Sequence, residues 1–322
     1  MTITLITACY NSASVIRTAM ESVLRQTWPE IEYLVIDGGS TDGTVDLIRE
    51  FEPKFDGRMR WVSEKDRGMY DAINKGIRLA TGEVVGILNA DDVLSADDVI
   101  EKVAKAFGES SLVHYCESAL VGERVLSTTQ GTQGKDAIGN RQSAVGSVST
   151  DERMNSRTNE LLQAVYGDIR FVASQREMGL AELRNEATMR YYSAKHWHPW
   201  MLQWGFMPPH PSVYIRRGCF ERLGHYALDY VIAADYALLI RFLRKAKLRA
   251  CYLPMCFVDM RVGGRSTKNW RSNLLLNREI VRGNREEGYF CCLPMLLPKY
   301  AFKVWEFVGP RVRHVLFKAR RA

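Results

Sequence analysis

No stretch of the 322-residue chain reaches the roughly 18 consecutive apolar residues that a membrane-crossing helix needs. The amino terminus opens directly on the apolar run Thr2–Ala8. It lacks a charged region followed by a small-residue cleavage site, so no secretory leader is expected. The seven cysteines are scattered without a Cys-x-x-Cys pair, and vicinal Cys291 and Cys292 are no staple, which favours a reducing compartment. His196 and His198 stand apart from other ligand types and do not indicate zinc. What remains is ordinary for a globular protein: 46% hydrophobic and 25% charged residues, in a chain long enough for a substantial α/β core with one appendage.

The most informative segment present is Val84-Val85-Gly86-Ile87-Leu88-Asn89-Ala90-Asp91-Asp92, an apolar strand running into acid. Ile87 and Leu88 favour burial, whereas Asp91 and Asp92 are costly to bury unless paired or bound to a metal. The carboxyl end of a sheet strand reconciles the two, and open α/β proteins bind ligands there. A carboxylate pair in such a crevice suits a hard divalent cation, which in turn suits a diphosphate. A turn followed by a helix is the other reading, with Ser95 as its cap and Asp97 and Asp98 in its first turn.

Three similar strand tips precede it. Thr2 to Ala8 ends in Cys9-Tyr10-Asn11-Ser12, followed by a helical stripe of Val15, Ile16, Ala19, Met20, Val23 and Leu24. Ile31 to Ile36 stops at Asp37-Gly38-Gly39-Ser40-Thr41-Asp42-Gly43. Glycines there permit a tight turn and close approach to a ligand, and Asp37 is placed to accept hydrogen bonds from a base or ribose; an ordinary Asx-type turn is the alternative. A strand near Met59–Ser63 leads to Asp66-Arg67-Gly68 and a helix carrying Asp71 and Asn74-Lys75-Gly76, with Arg67 free to meet a phosphate or base. Strands alternating with helices predict a doubly wound α/β sheet whose polar tips converge on one rim.

Taken together, Tyr10-Asn11-Ser12, Asp37 through Gly43, Asp66-Arg67-Gly68 through Asn74-Lys75-Gly76, and Asn89-Ala90-Asp91-Asp92 resemble the family 2 glycosyltransferases of the GT-A fold. The resemblance is to the branch that builds bacterial surface polysaccharides of the colanic-acid type. It implies a mixed sheet flanked by helices and a nucleoside-diphosphate sugar on the rim. Thr7, Tyr10 and Asp37 would contact the nucleoside, and Arg67, Asp71 and Asn74 would line the same pocket. Asn89-Ala90-Asp91 stands at the family's Asp-x-Asp position, with Asn89 replacing the first carboxylate and Asp91, with Asp92 beside it, on Mn2+ or Mg2+.

Later segments resemble the rest of that machinery. Met207-Pro208-Pro209-His210-Pro211-Ser212 is similar to the acceptor-side loop, where His210 either meets acceptor or phosphate or is structural. Ala233-Ala234-Asp235-Tyr236 is similar to the family's Glu-Asp segment, with Ala234 in the Glu position; it implies Asp235 as general base, although an Asp in a first helical turn is also stabilised by the helix dipole. Arg261 through Lys268 is similar to the loop that closes over the diphosphate, with Gly263-Gly264 as hinge and Arg265 or Lys268 on the leaving group. The family 2 resemblance implies inversion in a single displacement. The Gln-x-x-Arg-Trp motif of processive synthases is missing, so one sugar per encounter is expected.

Charge and complexity divide the chain further. Residues 289–322 hold seven Lys and Arg against Glu306 alone, of a net +7 for the whole chain. Apolar and aromatic residues, among them Trp305, recur at helical spacing there. Such a tail suits an anionic membrane surface bearing a polyisoprenyl-linked acceptor, or else docks on the body with its charges in water; no nucleic-acid recognition module accompanies it. Across 127–159, Ser, Thr, Gly, Asn and Gln fill 20 of 33 positions, which reads as a polar, loosely ordered insertion. The expected organisation is therefore 1–107 donor half, 108–163 insertion, 164–268 acceptor half and 269–322 basic helical region, in an enzyme at the cytoplasmic membrane face. A nucleotide-sugar-binding regulator is the alternative, favoured by Asn89, Ala234 and the insertion; a basic scaffold is a third.

Overall fold

The computed structural model describes residues 1–108, 161–173, 178–262 and 270–300. Strand β1 (Ile3–Cys9) pairs in parallel with β2 (Ile31–Asp37) and with β4 (Val84–Ile87), and β2 pairs in parallel with β3 (Met59–Ser63). Parallel neighbours need crossovers. These are α1 (Ile16–Leu24), α2 (Thr44–Phe51) and α3 (Met69–Leu79), so the carboxyl ends of β3, β2, β1 and β4 share one rim.

Beyond β4 the sheet becomes mixed. β8 (Val213–Arg216) runs antiparallel to β4 and to β6 (Ala164–Val172), and β6 runs parallel to β9 (Ala250–Arg261). The two-residue β5 (Val93–Leu94) closes the order as an antiparallel partner of β9, while β7 (Thr188–Tyr192) pairs with the second half of β6. A strand thus opens at Ala164, where the acceptor half was expected to begin, and α4 (Val99–Gly108) ends where the insertion was expected to begin. Of that expected 108–163 insertion, 109–160 lie outside the described residues. The short helices α5 (Leu180–Asn185) and α6 (Arg217–Leu223) precede β7 and follow β8.

Side chains alternate across the strands and fill two core layers. Ile3, Leu5, Tyr33 and Val35 pack with Ile16, Met20 and Val23 of α1 and Ile100 and Val103 of α4. Ile6, Leu34 and Ile36 pack with Ile73 and Ile77 of α3 and with Leu238 and Leu239 of α7 (Ala234–Leu239). Burying both faces is why β1 and β2 read as near-continuous apolar runs.

Two local expectations change. Ser95 does not cap a helix; its hydroxyl donates to the Cys256 carbonyl at 2.6 Å and ties β5 to β9. Asp97 pairs with Arg184 at 2.6 Å, and Asp98 with Lys102 at 2.7 Å. Helix α8 (Trp270–Glu286) belongs to the body, because its Ile280 and Val281 join the α7 core layer. Cys291 and Cys292 are both free thiols, as expected, whereas Cys251 is disulfide-bonded, contrary to a purely thiol chain. Among the described residues no helix is long and apolar enough to cross a membrane. The basic tail beyond Tyr300 lies outside them.

The contact that sets α3 is Gly76 against Ile6 of β1: a Cβ at Gly76 would lie 2.5 Å from Ile6 Cγ2. Alanine would raise helix propensity by about 1 kcal/mol. Overpacking against the fully buried Ile6 costs about 1–3 kcal/mol. Gly76→Ala is therefore expected to destabilise the protein despite its better helix propensity, as read by urea denaturation. A gain in stability would show that α3 is not in close contact with the sheet.

Candidate active site

At the β1 and β2 tips, two loops interlock. Asn11 adopts a left-handed backbone (φ 49°); its amide N–H donates to Ser40 Oγ at 2.8 Å and its Oδ1 accepts the Thr41 N–H at 3.0 Å. Asp42 accepts from the amides of Ala13 and Thr44, at 3.0 and 3.1 Å, ahead of a left-handed Gly43 (φ 90°) that begins α2. Asp37 is fully buried beneath them. Its oxygens accept from the Gly39 amide (3.1 Å), the Ser40 amide (2.9 Å), Ser63 Oγ (2.6 Å) and the Ser40 hydroxyl. Burial opposes its charge, but those donors outweigh burial and hold its carboxyl below the ordinary aspartate range. Tyr10 is 59% exposed on the rim, and the space above Gly38 is bounded by Tyr10 and Asp66, each 3.4 Å from a Cβ placed there. Tyr10 thus offers an open aromatic face for a base, with Asp66 beside it.

The expected pocket residues separate. Arg67 is exposed, with Nε 3.5 Å from Asp71, whose carboxylate also accepts the Arg67 amide at 3.1 Å. That amide bond, the largest influence, lowers the Asp71 carboxyl further. Thr7 is instead buried, its hydroxyl accepting from Tyr33 at 3.0 Å within the α1 core layer. Asn74 is also buried and clamps the backbone of Tyr226, donating to its carbonyl at 2.8 Å and accepting its N–H at 3.0 Å.

After β4, Asn89 Nδ2 donates to Asp92 Oδ2 at 2.7 Å. Asp92 is 1% exposed, Asp91 half-buried and Ala90 buried. Burial, reinforced by the charge of Asp91, pushes the Asp92 carboxyl up. Asp91 is therefore the accessible carboxylate of the turn. Among the described residues no group of three or more His, Cys, Asp or Glu could by itself hold a metal ion. The donor set still fits a cation held jointly with a ligand, since Mg2+ is commonly bound by one or two carboxylates plus substrate phosphates.

Beyond the strand tips in sequence, Asp235 sits in the first turn of α7. Its Oδ1 accepts the Tyr236 amide at 2.7 Å and lies 3.4 Å from the hydroxyl of Tyr70, in the first turn of α3. Tyr70 stacks on Tyr226 with ring centroids 5.8 Å apart, and Tyr226 Oη is 2.7 Å from His210 Nε2. Burial raises the Asp235 carboxyl, partly offset by His210; burial likewise lowers the His210 imidazole, which keeps it neutral at pH 7. Two expected residues, His210 and Asp235, are thus brought into one cluster by tyrosines from α3 and from the 224–230 segment. Arg265 and Lys268 lie outside the described residues.

Glu279 of α8 gave no signal in the sequence. Its carboxylate accepts the N–H groups of Val231, Ile232 and Ala233 at 2.8, 2.9 and 2.8 Å, fixing the loop that delivers Asp235. A cavity of ≈ 460 Å³ on the other side of α8, lined by Arg278, Arg282, Arg285 and Glu286, includes none of the rim residues.

Residues 4–139 match the family model described as Glycosyl transferase family 2. Over this region the chain is similar to the family 2 glycosyl transferases. A PGL/p-HBAD biosynthesis glycosyltransferase of Mycobacterium bovis is 36% identical over 119 residues, 37% of this chain and 45% of the relative, so the match spans under half of that protein's length. Among solved structures, the mannosyltransferase PcManGT of Pyrobaculum calidifontis, in complex with GDP-Man and Mn2+, covers 99% of this chain and 75% of its own, with a TM-score of 0.54 at 19% identity. S. aureus TarS 1–349 with UDP-GlcNAc covers 88% of this chain and 66% of its own, with a TM-score of 0.51 at 13% identity. The fold is GT-A. The matched region holds every strand tip of the donor rim and Tyr70, whereas His210, Tyr226 and Asp235 lie beyond it.

Two measurements check this geometry. Because donors lower the Asp37 carboxyl, its stabilisation is present above the ordinary value of 3.8 and is lost as pH falls through the folded-state value. Wild type should therefore lose unfolding free energy on acidification below about pH 4 more steeply than Asp37→Asn; equal slopes would refute a carboxylate held by these donors. Glu279→Ala should cost about 1–3 kcal/mol by urea denaturation, with Glu279→Gln recovering part, because it strands amide donors that an amide oxygen can still serve.

Proposed function

We propose that this chain transfers one sugar from a nucleoside-diphosphate sugar to an acceptor hydroxyl, inverting the anomeric centre. The observation that supports this reading is the Asp235 carboxylate, joined to His210 through Tyr70 and Tyr226, with Tyr70 in the first turn of the helix that follows the β3 tip. The acceptor hydroxyl gives its proton to Asp235 as its oxygen attacks C1 of the donor sugar; the C1–O bond to the diphosphate breaks, and the nucleoside diphosphate leaves. One in-line attack inverts the centre.

Each residue has a role in that step. Tyr10 stacks on the base beside Asp66, and Asp37 holds the loop against which the nucleoside rests. Arg67, tethered to Asp71, reaches the donor from the β3 tip. His210, hydrogen-bonded to Tyr226, orients the acceptor. Bound at Asp91, Mn2+ or Mg2+ would supply positive charge against the departing diphosphate. Mn2+ accompanies GDP-Man in the archaeal relative. Arg265 and Lys268 are the further cations we assign to the leaving group from sequence alone. The basic residues of 301–322 support a peripheral contact with an anionic membrane carrying a polyisoprenyl-linked saccharide, in cell-surface polysaccharide synthesis of the colanic-acid type.

A regulator that binds the sugar nucleotide without turnover is the second reading. Asn89, engaged with Asp92, and Ala234 favour it, since both stand where the family resemblance places carboxylates.

Donor hydrolysis or transfer in the presence of Mn2+ separates the two. For an enzyme, Asp235→Asn lowers kcat by roughly 10²–10⁴-fold with little change in donor KM. Because burial raises the Asp235 carboxyl, the base form appears only at higher pH. The acidic limb of kcat/KM then lies above the ordinary aspartate value of 3.8 and disappears in the variant. Turnover of Asp91→Ala and Asp235→Ala equal to wild type would sink the catalytic reading.

A further inference from the structure

We propose that Arg261 is a resident cation of the diphosphate site, giving this chain affinity for a nucleoside diphosphate that does not depend wholly on a divalent metal. The inference rests on the nucleotide-sugar reading of the rim and assigns a residue that neither the fold nor the strand-tip motifs single out.

Arg261 is the last residue of β9. The β5–β9 ladder pairs Leu94 with Val258 and Val93 with Asp259. Continued two residues beyond the ladder, that antiparallel register sets Asp91 opposite Arg261. The side chain is 5% exposed. Nη2 donates to Thr18 Oγ1, in α1, at 2.9 Å, while Nε and Nη1 have no hydrogen-bond partner among the described residues. Burial weakens the charged form, and Asp91 and Asp92 act on it through their fields without either accepting a hydrogen bond from the guanidinium.

A guanidinium does not shed its proton in a protein, so burial without partners is a standing cost. Nε and Nη1 form one edge of the guanidinium fork, the edge that meets two oxygens of a phosphate side-on. The register sets the residue carrying this unused edge opposite Asp91, the accessible carboxylate of the turn that ends the donor rim. A diphosphate reaching Asp91 through a cation would pass within reach of these donors. With Asn89 neutral, the turn also holds less negative charge than a full Asp-x-Asp-Asp, and Arg261 offsets part of what remains. Less external positive charge is then needed to seat the nucleotide. The Thr18 hydroxyl fixes the fork from the far side, while its own proton goes to the Val15 carbonyl at 2.9 Å.

The test is calorimetric titration of the full chain with UDP and with GDP, in excess EDTA and in Mn2+. Wild type is expected to bind one of them in EDTA within about tenfold of its Mn2+ affinity. R261M should weaken EDTA binding roughly ten- to hundredfold, the loss of charge-assisted hydrogen bonds, with R261K between the two. The ligand-free melting temperature of R261M, read alongside, checks that the variant is folded. If R261M is poorly folded, T18V removes only the orienting hydroxyl and should weaken EDTA binding severalfold in a folded protein. Nucleotide binding by wild type only in Mn2+, or equal affinities of wild type and R261M in EDTA, would overturn the role of Arg261 and leave the donor reading intact. Binding of neither nucleotide under either condition would overturn the donor reading itself.

Discussion

The placement of helix α3 constrains everything else. With no room for a methyl group between Gly76 and Ile6, α3 lies directly on β1, and its phase about its own axis is fixed. That phase assigns the helix two tasks at its first turn. Asp71 turns toward the β3 tip and tethers Arg67, while Tyr70, one residue earlier, turns toward α7 and meets Asp235. One turn further on, Asn74 grips the backbone of Tyr226, whose hydroxyl meets His210. Donor rim and acceptor-side cluster are therefore held in register by one helix rather than by a flexible hinge. The separation between sugar and base depends on the packing of a glycine against an isoleucine some distance from either.

What was legible in the sequence was what is local. Each strand tip announces itself within about ten residues, because an apolar run must stop where polar groups begin. The doubly wound half, the strand at Ala164 and the helix opening at Asp235 all follow from such patterns. Thr7 shows a signal that was available but unused. Strand alternation puts it on the same face as Ile3 and Leu5, hence in the α1 core layer against Tyr33 rather than at the nucleoside. Asn74 illustrates the opposite limit. Its residue type suits a ligand, but its partner is the backbone of Tyr226, 152 positions away, and no local pattern encodes that. Glu279 escaped for the same reason, and although Arg261 opens the expected diphosphate loop its burial against Thr18 was not legible, since these partners are neighbours only after β9 and α8 have packed.

The site also shows how buried charge is distributed by role. Asp37 is surrounded by donors that favour its charged form and serves as scaffold. Asp92 is turned into the protein, its carboxyl raised and engaged with Asn89, which leaves Asp91 as the carboxylate that solvent can reach. Asp235 has fewer donors: one amide and a long contact to Tyr70, which burial outweighs. A fully satisfied carboxylate is a poor base because its lone pairs are committed; an under-satisfied one with a raised value retains both affinity for a proton and a free lone pair to take it. By that criterion the three aspartates expected to matter divide without reference to any relative: Asp37 holds its loop, Asp91 is the one solvent reaches, and Asp235 is the one we propose as the base.

The same criterion bears on why Ala234 can stand where the family resemblance places a glutamate. A second carboxylate beside Asp235, on a helix turn already buried at Ala233 and Ala234, would carry its own desolvation cost and would repel the charge on Asp235. Its removal leaves a single carboxylate whose value is set by burial, by His210 and by the Tyr236 amide at the helix end, three influences fixed by packing rather than by a mobile partner. Glu279 keeps that arrangement rigid from behind: it binds the three amides ahead of α7 instead of entering the cleft. The loss of one acid from the cleft is thus compatible with proton transfer so long as the loop preceding Asp235 does not relax, which makes α8 part of the catalytic body and not an appendage to it.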